Sequence, residues 1–180
     1  MKKKIIVDIG CFNGRTLSVA NRRLHLKNEK WFGLMVEPNK HLEREIRKSL
    51  QGTDFKYVNC AISTKDGWGK LYMGKYGFTN RRSPANKDLC MRSSLLKNEE
   101  HIAQHLTDNY LDVKLRTLDS LLAEHEITYV QILKIDTEGH DYDILNSYKW
   151  SVYPDKIMTE DVVLTRGKRT KLYLKEQNKI

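Results

Sequence analysis

The residues Leu133-Lys-Ile-Asp136-Thr-Glu138-Gly-His140-Asp141 put a lysine, two carboxylates and an imidazole into one short stretch. It follows an apolar run and leads into helical spacing, which is the place where a strand emerges into a helix. Polar groups there face the crevice in which open α/β sheets bind ligands. Asp136, partly buried, can orient a positively charged centre or act as a base, and Glu138 and His140 can each take the proton from an attacking hydroxyl. A group transfer that needs in-line placement and removal of one proton asks for little else. Negative charge in the first turn of a helix is also favoured by about 0.3–1 kcal/mol per group, which by itself would explain Asp141 and Glu138.

A second constellation lies near the start of the chain. Asp8-Ile-Gly10-Cys-Phe-Asn-Gly14 ends a short β-rich run in a glycine-bearing turn that opens a helix. Glycine lets the backbone turn sharply and approach a ligand, and a helix start offers unpaired N–H groups. The spacing is GxxxG rather than GxGxxG, so the dinucleotide fingerprint is not met, and an ordinary turn would look the same. Glu37 adds to this: it ends the next apolar run and is followed by Pro38. An acid at that place can accept both hydroxyls of a ribose, or it can simply cap the helix it precedes. Asp8, Gly10, Gly14 and Glu37 together outline a nucleoside pocket with no grip for a pyrophosphate, which is the shape of an adenosyl cofactor.

The elements that would position these groups alternate strand and helix, the pattern of a parallel sheet covered by helices. Strands are expected over residues 4–9, 31–36, 55–62, 112–116, 129–135 and 156–159, with an edge strand or hairpin over 67–73. Helices are expected over 15–26, 41–50, 118–126 (with Thr117 as N-cap) and 139–148. The run 129–135 is apolar on both sides and belongs at the centre of the sheet. Residues 74–109 are rich in Gly, Asn, Arg and Ser, with only 99–106 helical in spacing. That is too long for a plain connector, so a substrate-facing flap or a surface loop is expected.

At 180 residues the chain fits one domain, 1–180, large enough to bury a core without metal or disulfides. Three scattered cysteines, Cys11, Cys60 and Cys90, give neither a disulfide framework nor zinc spacing, which points to a reducing, cytoplasmic setting. No apolar run approaches the roughly 20 residues that span a bilayer. The net charge of +9 would speed encounter with an acidic partner such as nucleic acid, but it selects none. His25, His41, His101, His105 and His125 stand singly. No metal site is assigned; a divalent ion on Asp136, Glu138 and Glu160 fits the donor types without being shown by any spacing.

In its ordered motifs the sequence resembles the FkbM family of S-adenosylmethionine-dependent methyltransferases. The pieces are Val7-Asp-Ile-Gly-Cys-Phe-Asn-Gly14, Gly33-Leu-Met-Val-Glu-Pro-Asn39, Asn59-Cys-Ala-Ile-Ser-Thr-Lys-Asp-Gly67, Ser93-Ser-Leu95, Thr117-Leu-Asp119 and Leu133-Lys-Ile-Asp-Thr-Glu-Gly-His-Asp141 with Ile144-Leu145. The resemblance implies a Rossmann-like α/β fold, a mostly parallel sheet with helices on both faces, shortened at the C-terminus. It implies O-methylation of a sugar or another small hydroxylated metabolite. Asp8, Gly10, Gly14, Glu37, Asn59, Ala61 and Ser94 would surround the cofactor, with Phe12, Asn13 and Pro38 of the same pieces beside it and Asp136 and Glu138 at its reactive end. Phe12 stands where Asn is usual, and His140 and Asp141 where Ala and Glu are usual. Methylation of RNA ribose, suggested by the charge, and a non-catalytic cofactor-binding domain are the competing readings.

Overall fold

The computed structural model describes residues 4–14, 31–74, 93–97 and 103–159, and the backbone of 163–165. The expected helix over 15–26, most of the expected flap and the basic tail fall outside these residues. The central sheet has six strands in the order β3-β2-β1-β7-β8-β9. They are β1 (Lys4–Ile9), β2 (Trp31–Val36), β3 (Asp54–Val58), β7 (Ile132–Ile135), β8 (Lys156–Met158) and β9 (Val163–Thr165). Five strands run parallel and β9 pairs antiparallel to β8 at the edge. The mostly parallel Rossmann-like sheet expected from the motifs is therefore present, and β9 comes from a stretch whose sequence showed no strand pattern.

Both faces of the sheet are apolar, and helices cover both. Val7, Ile9, Leu34, Val36, Leu133 and Ile135 pack against Leu118, Leu121 and Leu122 of helix α2 (Leu118–Glu124) and Ile144 and Leu145 of helix α3 (Asp141–Ser147). On the other face Met35 packs with Leu42 and with Ile46 of helix α1 (Glu43–Ser49). Strands buried on two faces read as continuous apolar runs, the reason β1, β2 and β7 stand out in the sequence. The helix expected over 41–50 begins instead as a 3-10 turn, Lys40–Leu42, capped by the Asn39 side chain, which accepts from His41 N at 3.1 Å.

A second sheet, in the order β4-β6-β5, is built from β4 (Ala61–Ile62), β5 (Gly67–Gly74) and β6 (Leu106–Arg116). Its strands alternate in burial: Leu71, Met73, Val113 and Leu115 point inward, while Trp68, Lys70, Tyr110 and Lys114 face outward. Two expectations change here. The third strand over 55–62 breaks after Val58, and the chain crosses to the second sheet; the Asn59 side chain holds the crossing by donating to Glu37 O at 2.9 Å and Pro38 O at 3.0 Å. Residues 106–109 belong to β6 rather than to a flap or helix, because β5 supplies the antiparallel partner of this strand and Asp108 and Asn109 are exposed.

Thr117 caps α2 as its sequence suggests, accepting from Ser120 N at 3.1 Å. Thr117→Ala is expected to cost about 1 kcal/mol, a drop of roughly 2–4 °C in melting temperature for a domain of this size, measured by thermal denaturation followed by circular dichroism.

Candidate functional site

The carboxyl ends of β1, β2, β3 and β7 finish level, with Ile9 opposite both Val36 and Ile135, and Val36 opposite Val58. Backbone hydrogen bonds continue past the strand ends: Gly10 N to Val36 O at 2.9 Å, Glu37 N to Val58 O at 3.1 Å and Asp136 N to Ile9 O at 3.0 Å. The first three connected strands progress to one side of β1 and β7 lies on the other, so the crevice opens where the strand order reverses, the usual ligand site of such sheets.

Gly10 shows why its residue type is needed. Its φ is +74°, and a Cβ there would lie 1.9 Å from the Asp136 carbonyl oxygen, a separation no side chain can meet. Gly14, expected beside a ligand, is constrained by packing as well: a Cβ on it would meet Ser49 Oγ of α1 at 2.2 Å. Phe12 (φ +50°) and Glu138 (φ +53°) are left-handed non-glycine residues flanking the crevice. Such backbone is uncommon outside Gly, Asn and Asp, and it concentrates at functional sites.

The cleft is walled by Gly10, Phe12, Glu37, Pro38, Ala61, Asp136, Glu138 and His140 of the residues singled out by sequence. Ser93, Leu95, Cys60, Ile62, Leu71 and Thr137 complete much of the remainder. The second sheet supplies Ala61, Ile62 and Leu71, a contribution that sequence spacing does not reveal because it depends on the crossing at Asn59. Asp8, Asn13, Gly14, Asn59 and Ser94 stand outside this lining. Asp8 is fully buried on the α1 face of β1, and Asn59 clamps the main chain behind Glu37. Ser94 donates from its hydroxyl to Glu138 O at 2.9 Å and accepts from Leu96 N at 3.1 Å.

Glu37 is 8% exposed, and each carboxylate oxygen accepts a backbone N–H: Phe12 N on Oε2 and Asn39 N on Oε1, both at 2.9 Å. Burial outweighs these two amides and pushes its carboxyl up to about 7. Lys134 lies on the strand face next to Asp8, with Nζ 3.2 Å from Asp8 Oδ1 and 3.1 Å from Asp136 Oδ2. Burial pulls its ammonium down, but Asp8 and then Asp136 outweigh that, and it stays above the ordinary lysine range. One cation thus links a buried carboxylate to the cleft edge. His140, 7% exposed, has Nε2 3.2 Å from Ser63 Oγ and Nδ1 3.1 Å from Asp143 Oδ2. Cys11 and Cys60 are buried and form no disulfide, and burial pushes Cys60 up to about 12, away from any nucleophilic role.

Among the described residues, no group of three or more His, Cys, Asp or Glu is placed to hold a metal ion, and Glu160 lies outside them. No helix among them is long and apolar enough to cross a membrane.

Lys134→Met is expected to lower stability by about 3–5 kcal/mol, because it removes the cation beside the fully buried Asp8 carboxylate. Asp8→Asn combined with Lys134→Met should recover most of that loss in a urea titration. Glu37 has the opposite sign from a salt-bridged acid. Its carboxyl is raised on folding, so its stabilising contribution is complete below about 4.5 and is lost as pH rises through about 7. The ligand-free chain should therefore be more stable near pH 5 than near pH 8, by at most about 3 kcal/mol from this group, and melt at a higher temperature there. Glu37→Gln should flatten the difference, and parallel melting curves for the two proteins would refute the assignment.

The family model described as methyltransferase FkbM domain matches residues 8–161. No curated protein and no solved structure matches the chain.

Proposed function

Because the chain belongs to the family of methyltransferase FkbM domains, we propose that it is an S-adenosylmethionine-dependent O-methyltransferase. Its acceptor is a hydroxyl of a sugar or another small hydroxylated metabolite. The observation that carries this reading is the convergence of Gly10, Glu37 and Asp136 on one cleft at the strand ends.

The residues present fit such a cofactor. Glu37 already spends one lone pair of each oxygen on a backbone amide, and the others remain for the two hydroxyls of a ribose. The bare backbone at Gly10 gives close approach, and Phe12, Pro38 and Leu95 add apolar wall for a flat base. When bound, the cofactor supplies a methyl group on a positively charged sulfur. Asp136 and Glu138 give the cleft the negative charge that suits such a centre. Lys134 holds the Asp136 carboxylate from behind at 3.1 Å. Glu138 or His140 takes the proton of the attacking hydroxyl.

The net charge of +9 favours RNA ribose as a second acceptor. The described cleft residues argue for the small neutral one: Glu37, Asp136 and Glu138 line it, and no lysine or arginine does. A phosphate chain would meet three carboxylates there. Buried Cys11 and Cys60, held apart from any disulfide, support a reducing, cytoplasmic setting.

Titration with S-adenosylhomocysteine in a calorimeter tests the cofactor, and an acceptor screen with labelled S-adenosylmethionine tests the reaction. Affinity should rise with pH as Glu37 ionises, and Glu37→Ala should weaken it. Asp136→Asn and Glu138→Gln should each lower turnover about 10²–10⁴-fold, the range for lost acid-base or electrostatic help. Full activity in both variants would reject the site assignment.

A further inference from the structure

His140 sits between the two halves of the molecule. It precedes α3 on the side of the central sheet, while Ser63, which faces its Nε2 at 3.2 Å, follows β4 and is fixed to the second sheet by Ser63 N donating to Arg116 O at 2.8 Å. Asp143, in the first turn of α3, presents Oδ2 to Nδ1 at 3.1 Å. Nδ1 is buried, and its approach to Asp143 is a charge contact without hydrogen-bond geometry, so it has no hydrogen-bond partner among the described residues. The negative charge of an ionised carboxylate that close to Nδ1 favours the ring proton on that nitrogen and leaves the lone pair on Nε2. The Ser63 hydroxyl is the complementary partner, since it can donate to that lone pair and accept from the same nitrogen once it is protonated. His140 also belongs to the wall of the cleft, beside Asp136 and Glu138.

Resting on the reading that this cleft methylates a hydroxyl, we propose that His140 is the base that takes the hydroxyl's proton, with Asp143 and Ser63 as its positioning residues. The acceptor's hydroxyl replaces the Ser63 hydroxyl on the one Nε2 lone pair; its O–H bond then breaks and its proton moves to Nε2 while the oxygen forms its bond to the methyl carbon and the methyl–sulfur bond breaks. The imidazolium so formed is balanced by Asp143, and its new N–H donates to Ser63 Oγ once the methylated oxygen has left. Glu138 then serves by its charge, on a backbone held at φ +53° with its carbonyl oxygen bonded to Ser94. The position is also one where this chain departs from the pattern it resembles, so the base is a property of this sequence rather than of the shared motifs. Neither Asp143 nor Ser63 is visible in the motif spacing: one lies a helical turn beyond His140 and the other 77 residues before it.

The test is histidine-selective ¹⁵N NMR of the full chain with S-adenosylhomocysteine added, together with turnover of the acceptor that the labelled screen identifies. The wild type should show His140 neutral with its proton on Nδ1. In Asp143→Asn the amide donates to Nδ1 and the proton should move to Nε2, with kcat falling about 10²–10⁴-fold and both the acceptor KM and S-adenosylhomocysteine affinity changing less than about threefold. Ser63→Ala should keep the tautomer, shift the Nε2 resonance and lower kcat by a smaller factor. A wild-type proton on Nε2, or an unchanged kcat in Asp143→Asn, overturns the assignment of the base. Absence of S-adenosylhomocysteine binding to the wild type would instead overturn the cofactor reading on which it rests.

Discussion

The level ending of four parallel strands is the constraint on which the site depends. Three backbone hydrogen bonds past the strand ends, from Gly10, Glu37 and Asp136, extend the sheet's own ladder by one residue and place the next side chains on a common rim. These groups are far apart in sequence, and only parallel register brings them together. A backbone amide at such a place must find a partner or stay unsatisfied at a cost of about 1–3 kcal/mol. The rim is therefore held by the same force that holds the strands, and the Glu37 carboxylate is aimed by the amides of Phe12 and Asn39 rather than by packing alone.

Charge in this region is arranged in two layers. Behind the rim, Asp8 and Lys134 share a register position on β1 and β7 and neutralise each other on the buried face. On the rim, Glu37, Asp136 and Glu138 concentrate negative charge, with Lys134 reaching only Asp136. A buried ion pair of this kind adds little net stability, but it makes loss of either partner expensive. The opening itself is left acidic, which suits a cationic or neutral ligand more than a phosphorylated one.

The central strands were legible because burial on both faces leaves long apolar runs, and Gly10, Glu37 and the Asp136 segment were legible because they follow such runs directly. The second sheet was less so. Its β6 begins with Leu106-Thr-Asp-Asn, residues that read as loop until their partner on β5 is known. The break between β3 and β4 was hidden for the same reason, since an unbroken apolar stretch does not show which sheet each half joins. Gly14 and Ser94 fell into matching motifs, yet the fold uses one to seat α1 and the other to hold the carbonyl of Glu138. The contacts of His140 with Ser63 and Asp143 needed coordinates, because one of them crosses between sheets.

The approach of Gly10 to the carbonyl of Asp136 also divides the labour of the cleft. Its width on that side is fixed by main-chain atoms alone, whereas the character of its walls comes from exchangeable side chains on a different sheet, such as Leu71 and Ala61. Sequence drift in the second sheet can thus change the character of those walls while the main-chain spacing on the β1–β7 side stays constant. A change at Gly10 would do the reverse, prising β1 from β7 and widening the cleft whatever its walls.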